Sequence, residues 1–234
     1  MDIFIVCGYG IPENMETDTN YLVYLRTVFN KLYSKVNLKP AAIISCGGPT
    51  SMKAPYTNTE AAVITQALVK QTQREELQSA TKLWKFYEEG TSLSTLENLL
   101  NAKKIIEDQQ LSGNITIFCE ATREHRITET AKKIFQRSIN VEPIDFDTSI
   151  NRYLNPERIK EKEEIGLQES LWTLEDANRL ALHHELFEKK FIFFRNEKEK
   201  GLSETEIVKR WYEKMDDIIK EAMPDHPLFK NKTG

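Results

Sequence analysis

Cysteine is scarce. The three present in 234 residues, Cys7, Cys46 and Cys119, are too few and too irregularly spaced for a disulfide framework or a zinc motif. Each sits inside an apolar run, so they read as buried free thiols in a reducing compartment. A long hydrophobic run is also missing. The opening MDIFIVCGYG has no basic leader, and its apolar stretch lasts only about six residues, too short for a signal peptide or a membrane span. Positive charge is not in excess either. With 32 basic against 36 acidic side chains and a formal net charge of −4, the composition argues against a dedicated binder of nucleic acid or of anionic membranes. Internal repeats and low-complexity tracts are absent. Together these absences predict a soluble, cytoplasmic protein with no nucleic-acid partner and no membrane insertion.

What is present is length and an uneven charge density. A chain of 234 residues can build one α/β domain with a sizeable core and still carry an appendage. Residues 1–150 hold 16 basic and 18 acidic side chains, and the remaining 84 residues hold the same numbers. This shift predicts an α/β domain over 1–148 and a charged helical extension over 149–234.

The first region alternates short apolar runs with amphipathic segments. Strands are predicted at Ile3–Cys7, Ala41–Ser45, Ile115–Cys119 and Val141–Phe146; Thr81–Glu88 alternates enough for another, with a helix as the alternative. Helices are predicted at Thr19–Tyr33, at Thr59–Gln71 with Ala62, Val63, Gln66 and Leu68 inward, at Ser94–Gln109 and at Glu124–Gln136. The rhythm implies a Rossmann-like, doubly wound, mainly parallel sheet with helices on both faces, whose ligands sit outside the carboxyl ends of the strands. In the extension, Leu171, Leu174, Ala177, Ala181, His184, Phe187 and Phe191 form one helical stripe. A second helix starts at a Ser203/Glu206 capping box. The Lys/Glu run over 157–164 reads as a solvated helix face, and His183 and His184 as structural residues. The apolar faces predict packing on the domain or on a partner, a homodimer through the extension included.

Candidate chemistry collects at the strand ends. Gly8 and Gly10 allow close backbone approach to a ligand, although Glu13 stands where a dinucleotide fingerprint has its third glycine, and a plain turn explains them too. Ser45, Gly47 and Gly48 form a glycine-rich loop whose amides could cradle an anion, leading to Glu60 at a helix start. Thr59 reads as a helix N-cap, and Glu60 could serve only the helix dipole. Glu89, Ser92, Thr95, Glu97 and Asn98 crowd the start of the Ser94 helix, and a capping box accounts for Ser94 and Glu97 alone. Glu120, Thr122, Arg123, His125 and Arg126 follow the strand ending at Cys119 and supply cationic and titratable groups. Glu60, Glu89 and Glu97 come from different strand ends and could converge on a divalent cation or a ribose. No G-x-S-x-G elbow is present, which argues against a serine hydrolase.

These motifs resemble a known family. A strand ending in glycine, an SGG-type loop (here Ser45-Cys46-Gly47-Gly48) followed by TEA at Thr59–Ala61, then E-x-x-S-x-x-T-x-E-N over Glu89–Asn98, then T-x-x-H at Thr122–His125 with Arg126 beside it, is similar to the YdcF/SanA/ElyC-like domain family. The similarity covers residues 3 to 146. Cys46 interrupts the SGG triplet, and Thr128 stands where an arginine usually follows the histidine. The resemblance implies a Rossmann-like domain with a polar pocket at the strand ends and a nucleotide-like ligand, S-adenosylmethionine among the candidates.

Two functions follow as expectations. One is an enzyme acting on a phosphorylated or nucleotide-containing small molecule, with the glycine loop and Arg126 holding the anion and His125 or Glu89 moving a proton. The other is a non-catalytic sensor of a nucleotide-like ligand that signals through the helical extension.

Overall fold

The computed structural model describes residues 1–11, 17–146 and 156–230; Glu13 and the expected boundary at residue 148 lie outside them. The chain divides into two compact units, Met1–Thr50 with Thr57–Asp147, and Ser51–Tyr56 with Thr148–Gly234. The short segment Ser51–Tyr56 thus groups with the second unit, a division that charge density alone does not reveal.

The first unit runs β1 (Asp2–Cys7), α1 (Thr19–Val36), β2 (Ala41–Cys46), α2 (Glu60–Thr72), α3 (Glu75–Thr81), β3 (Trp84–Glu89), α4 (Thr95–Asp108), β4 (Ile115–Glu120), a 3-10 turn (Ala121–Arg123), α5 (Glu124–Phe135) and β5 (Ile139–Ile144). All five strands are parallel, in the order β3-β2-β1-β4-β5. This is a Rossmann-like α/β fold. Strands covered on both faces need apolar side chains in both directions, which is why β1, β2 and β4 read as unbroken apolar runs. Phe4, Val6, Ala41, Ile43 and Phe118 pack against Tyr24, Leu25, Val28 and Leu32 of α1 and Ile64 and Leu68 of α2. By the two-residue period of a strand, Ile3, Ile5, Cys7, Ala42, Ile44 and Cys46 face the opposite side, toward α4.

Cys7 and Cys46 are register neighbours at the ends of β1 and β2, and all three thiols are buried and free. Burial pushes the Cys7 thiol up to about 12 and raises Cys46 and Cys119 as well. Thiolate is the reactive form. A thiol reagent at pH 8 is therefore expected to label none of the three in the native protein and all three in denaturant; rapid native labelling would contradict this packing.

Four details depart from expectation. Of the residues expected on the inner face of α2, Leu68 is buried and Val63 packs against the core, whereas Ala62 is half-buried and Gln66 exposed; Ala61 and Ile64 complete the buried face. Residues Glu75–Thr81 form α3, so β3 begins only at Trp84. The last strand starts two residues early, at Ile139. The stripe from Leu171 to Phe191 is not one helix. The second unit contains α6 (Pro156–Thr173), α7 (Ala177–Glu199), α8 (Glu204–Ala222) and α9 (Pro227–Lys230). Asp176 breaks the stripe, because its carboxylate accepts from Asn178 N–H at 2.7 Å and caps α7.

Within the second unit, Ile159, Leu167 and Trp172 of α6 are buried, so the Lys/Glu run covers one side of a packed helix. The Ser203/Glu206 capping box is complete. Phe193 and Phe194 meet Trp211 at 5.6 and 6.0 Å between ring centroids, joining α7 to α8. Tyr56 lies under the Arg195 guanidinium at 4.7 Å and donates to Glu199 at 3.1 Å. Among the described residues, no helix is long and apolar enough to cross a membrane.

Candidate functional site at the carboxyl ends of the strands

The strand order reverses between β1 and β4, and open α/β sheets leave a crevice outside the carboxyl ends at such a point. Tyr24 of α1 closes the bottom of it. Its buried hydroxyl donates to Cys7 O at 2.9 Å and lies 3.5 Å from Phe118 O, spanning the ends of β1 and β4.

Around this point stand four buried carboxylates, each engaged with its neighbouring loops. Glu60 opens α2; its carboxylate accepts from Gly10 N–H at 2.9 Å and from the Thr50 hydroxyl. Burial raises the Glu60 carboxyl above its usual range, and the bonds from Thr50 and Gly10 and the nearby Arg123 partly offset this. Glu89 ends β3. Its Oε1 accepts from Thr91 N–H (2.9 Å), Thr91 Oγ1 (2.8 Å), Ser92 N–H (3.0 Å) and Asn101 Nδ2 (3.1 Å), while Oε2 meets the Ser92 hydroxyl. That hydroxyl also touches the side-chain amide of Asn98. Glu97, in the first turn of α4, accepts from Leu93 N–H at 2.6 Å, and Ser94 caps the helix by accepting from Glu97 N–H. Glu120 ends β4 and accepts from Thr122 N–H (2.9 Å) and Thr122 Oγ1 (2.6 Å).

These commitments correct two expectations. Glu60, Glu89 and Glu97 do not gather into a cation site: among the described residues, no group of three or more His, Cys, Asp or Glu is disposed to hold a metal ion. The physical reason is that their oxygens are spent on amides and hydroxyls of the loops. The anion cradle at Gly47 and Gly48 is not open either. Gly47 N–H donates to Glu89 O (2.9 Å) and Gly48 N–H to Ser92 O (2.7 Å), while the next two free donors, Glu60 N–H and Ala61 N–H, return to Gly48 O and Gly47 O. Thr59 Oγ1 takes Ala62 N–H. The start of α2 is thus saturated by its own chain.

The glycines show the same closeness. A Cβ on Gly8 would stand 1.9 Å from Glu60 Oε2, one on Gly47 2.6 Å from Glu60 Cβ, and one on Gly48 2.5 Å from Ser92 O. What approaches these glycines is the protein itself. Gly10 differs: its φ of +105° needs glycine, yet among the described residues a Cβ there would meet nothing within 4 Å. Ser45 is fully buried and accepts from Thr65 Oγ1 at 2.9 Å, on the face toward α2.

The cationic side comes from the β4–α5 connection. Arg123 Nη1 donates to Gly8 O at 3.0 Å, and its guanidinium lies 5.3 Å from the centre of the Tyr9 ring. Arg126 Nη2 donates to Thr95 Oγ1 at 3.2 Å, which brings a guanidinium to the first turn of α4. Thr122 and His125 are exposed. His125 influences Glu129, one turn further along α5.

The strand ends therefore bring together Gly8, Gly47, Gly48, Glu60, Glu89, Ser92 and Asn98 as an interlocked scaffold, with Thr95 and Arg126 at its rim. Sequence reasoning missed Thr50, Thr91, Asn101 and Tyr24. A signal existed for Thr91, because Glu89-Gly90-Thr91 repeats at the end of β3 the pattern of Glu120-Ala121-Thr122 at the end of β4. The fold and these strand ends define a Rossmann-like α/β unit joined to a helical unit. No family model, curated protein or solved structure matches the chain.

Proposed function

We propose that the chain is a YdcF-like small-molecule-binding protein that takes a phosphorylated or nucleotide-containing ligand at the carboxyl ends of its strands. The observation that carries this reading is Arg126, drawn by Thr95 to the start of α4 beside the point where the strand order reverses. A guanidinium and the positive end of a helix both favour an anion. Arg123, across the same edge at Gly8, adds positive charge. The α1 terminus does not compete for a phosphate, since the Asp18 carboxylate accepts from Tyr21 N–H there at 2.9 Å. The saturated carboxylates support binding over proton transfer by Glu89, which leaves His125 as the group for any acid or base step.

Thermal melts with pyrophosphate, nucleoside phosphates and S-adenosylmethionine test this reading. A ligand at one hundred times its Kd should stabilise by about 2.7 kcal/mol, a rise of roughly 5–10 °C. Arg126→Ala is expected to keep a near-native melting temperature without ligand and to lose that rise. Ligand stabilisation unchanged in Arg126→Ala would overturn the assignment. Turnover of a bound ligand that disappears in His125→Ala, with binding retained, would make the protein an enzyme.

A further inference from the structure

The end of the helical unit is built around a histidine in an unusual role. After α8, Met223 N–H bonds back to Ile219 O, and His226 N–H bonds to Met223 O at 3.0 Å, which turns the chain into α9. His226 is 1 % exposed. Its Nδ1 accepts from Leu228 N–H at 3.2 Å, so the imidazole caps the short helix that Pro227 opens. A ring nitrogen that accepts from a backbone N–H carries no proton, and the proton of the neutral ring must then sit on Nε2. The ring also packs edge-on against Trp172 of α6 at 5.5 Å and near Phe229 at 6.3 Å. One side chain thus caps α9 and fastens it to α6.

We propose that His226 is an acid-sensitive latch: a proton at Nδ1 turns the acceptor into a donor facing Leu228 N–H, breaks the cap and releases the segment 223–230 from α6. The charged groups around it make the direction clear. Glu169 on α6 favours the charged ring, but its Oε1 is already 2.8 Å from Nδ1 of His183 on α7. His183 on α7, itself 2 % exposed, disfavours a proton on His226, and Asp225, the preceding residue, is exposed to water. Burial is the largest influence and lowers His226 from the usual 6.5; the Glu169 carboxylate opposes it, and His183 adds to the lowering.

The sign follows from proton uptake. Well above pH 6.5 the ring is neutral in both docked and released forms, and docking is unaffected. As pH falls below 6.5 the released form binds the proton first, so docking weakens until the lowered native value is passed. The experiment is hydrogen exchange of the full chain at pH 7.5 and 5.0, corrected for intrinsic rates. Protection over 223–230 is expected to be lower at pH 5.0 than at pH 7.5, while β1 and β4 keep theirs. His226→Gln, whose side-chain oxygen can accept from Leu228 N–H without titrating, should abolish the pH effect. Equal protection of 223–230 at the two pH values, or the same loss in His226→Gln, would overturn the latch. If His226→Gln does not fold, an NMR titration of the wild-type ring decides: a His226 value at or above 6.5 rejects the proposal.

Discussion

Glu89→Ala is expected to destabilise the first unit by about 3–5 kcal/mol, lowering its melting temperature by roughly 10–20 °C. The size follows from what the carboxylate holds. Five donor groups from Thr91, Ser92 and Asn101 end on its two oxygens, and Ser92 is 1 % exposed. Removing the acceptor strands the buried Ser92 N–H away from water and takes the shared partner from Thr91 and Asn101, at ~1–3 kcal/mol for each unsatisfied group, while the Ser92 hydroxyl keeps only Asn98 Oδ1. The damage spreads because Ser92 O is the acceptor for Gly48 N–H, and Glu89 O for Gly47 N–H. Glu89→Gln keeps the shape and one carbonyl oxygen, so its loss should be only about 1–1.5 kcal/mol. Urea melts of the two variants against wild type measure both values. A Glu89→Ala protein that melts within a degree or two of wild type would refute the scaffold role. Loss of activity in that variant, by contrast, cannot identify a catalytic base, since the fold of the β3–α4 loop goes with it.

The contrast between Glu89 and Arg126 shows what the sequence could and could not convey. Buried parallel strands are legible because covering both faces leaves few polar positions, and β1, β2 and β4 stand out as a result. The helix α3 is not legible: EELQSAT is short and polar, and its N-cap, Arg74, makes no side-chain capping bond. On α2 periodicity places Leu68 and Val63 toward the core but does not choose between Ala61 and Ala62 or find Ile64, because alanine, valine and isoleucine stand on adjacent positions. In the second unit the apolar spacing runs on across Asp176, and only the capping carboxylate marks the break. At the site, the E-x-x-S-x-x-T-x-E-N string located the β3–α4 loop correctly. It did not reveal that Glu89 serves the loop, because a carboxylate that organises hydroxyls and one that binds a ligand require the same residue types at the same spacing. Glu60 was harder still. Its partner Gly10 lies fifty positions away, and only the pairing of β1 with β2 brings the two loops together.

Gly48→Ala and Gly10→Ala should differ sharply, although both residues belong to strand-end loops of the same sheet. At Gly48 the added methyl would sit 2.5 Å from Ser92 O, with Thr91 C and Ser92 C at 3.1 and 3.2 Å. All three are backbone atoms, and the 2.7 Å bond from Gly48 N–H to Ser92 O holds them in place. Relief requires parting the β2 and β3 loops, which would strain the Glu89 cluster as well. An overpacked site of this kind costs about 3 kcal/mol or slightly more. At Gly10 no described residue lies within 4 Å of an added Cβ, and the positive φ is what resists a side chain, so the loss should be about 1–2 kcal/mol. Chemical denaturation of the two variants gives the comparison directly. The same pair separates scaffold from site: Gly10→Ala leaves a folded protein whose new methyl meets no described residue, at the end of β1 where the proposed ligand would approach. Weakened binding with a stability loss smaller than that of Gly48→Ala is the expected result for Gly10→Ala. Equal stability losses at the two positions would mean that the Gly48 loop yields more easily than its backbone contacts imply.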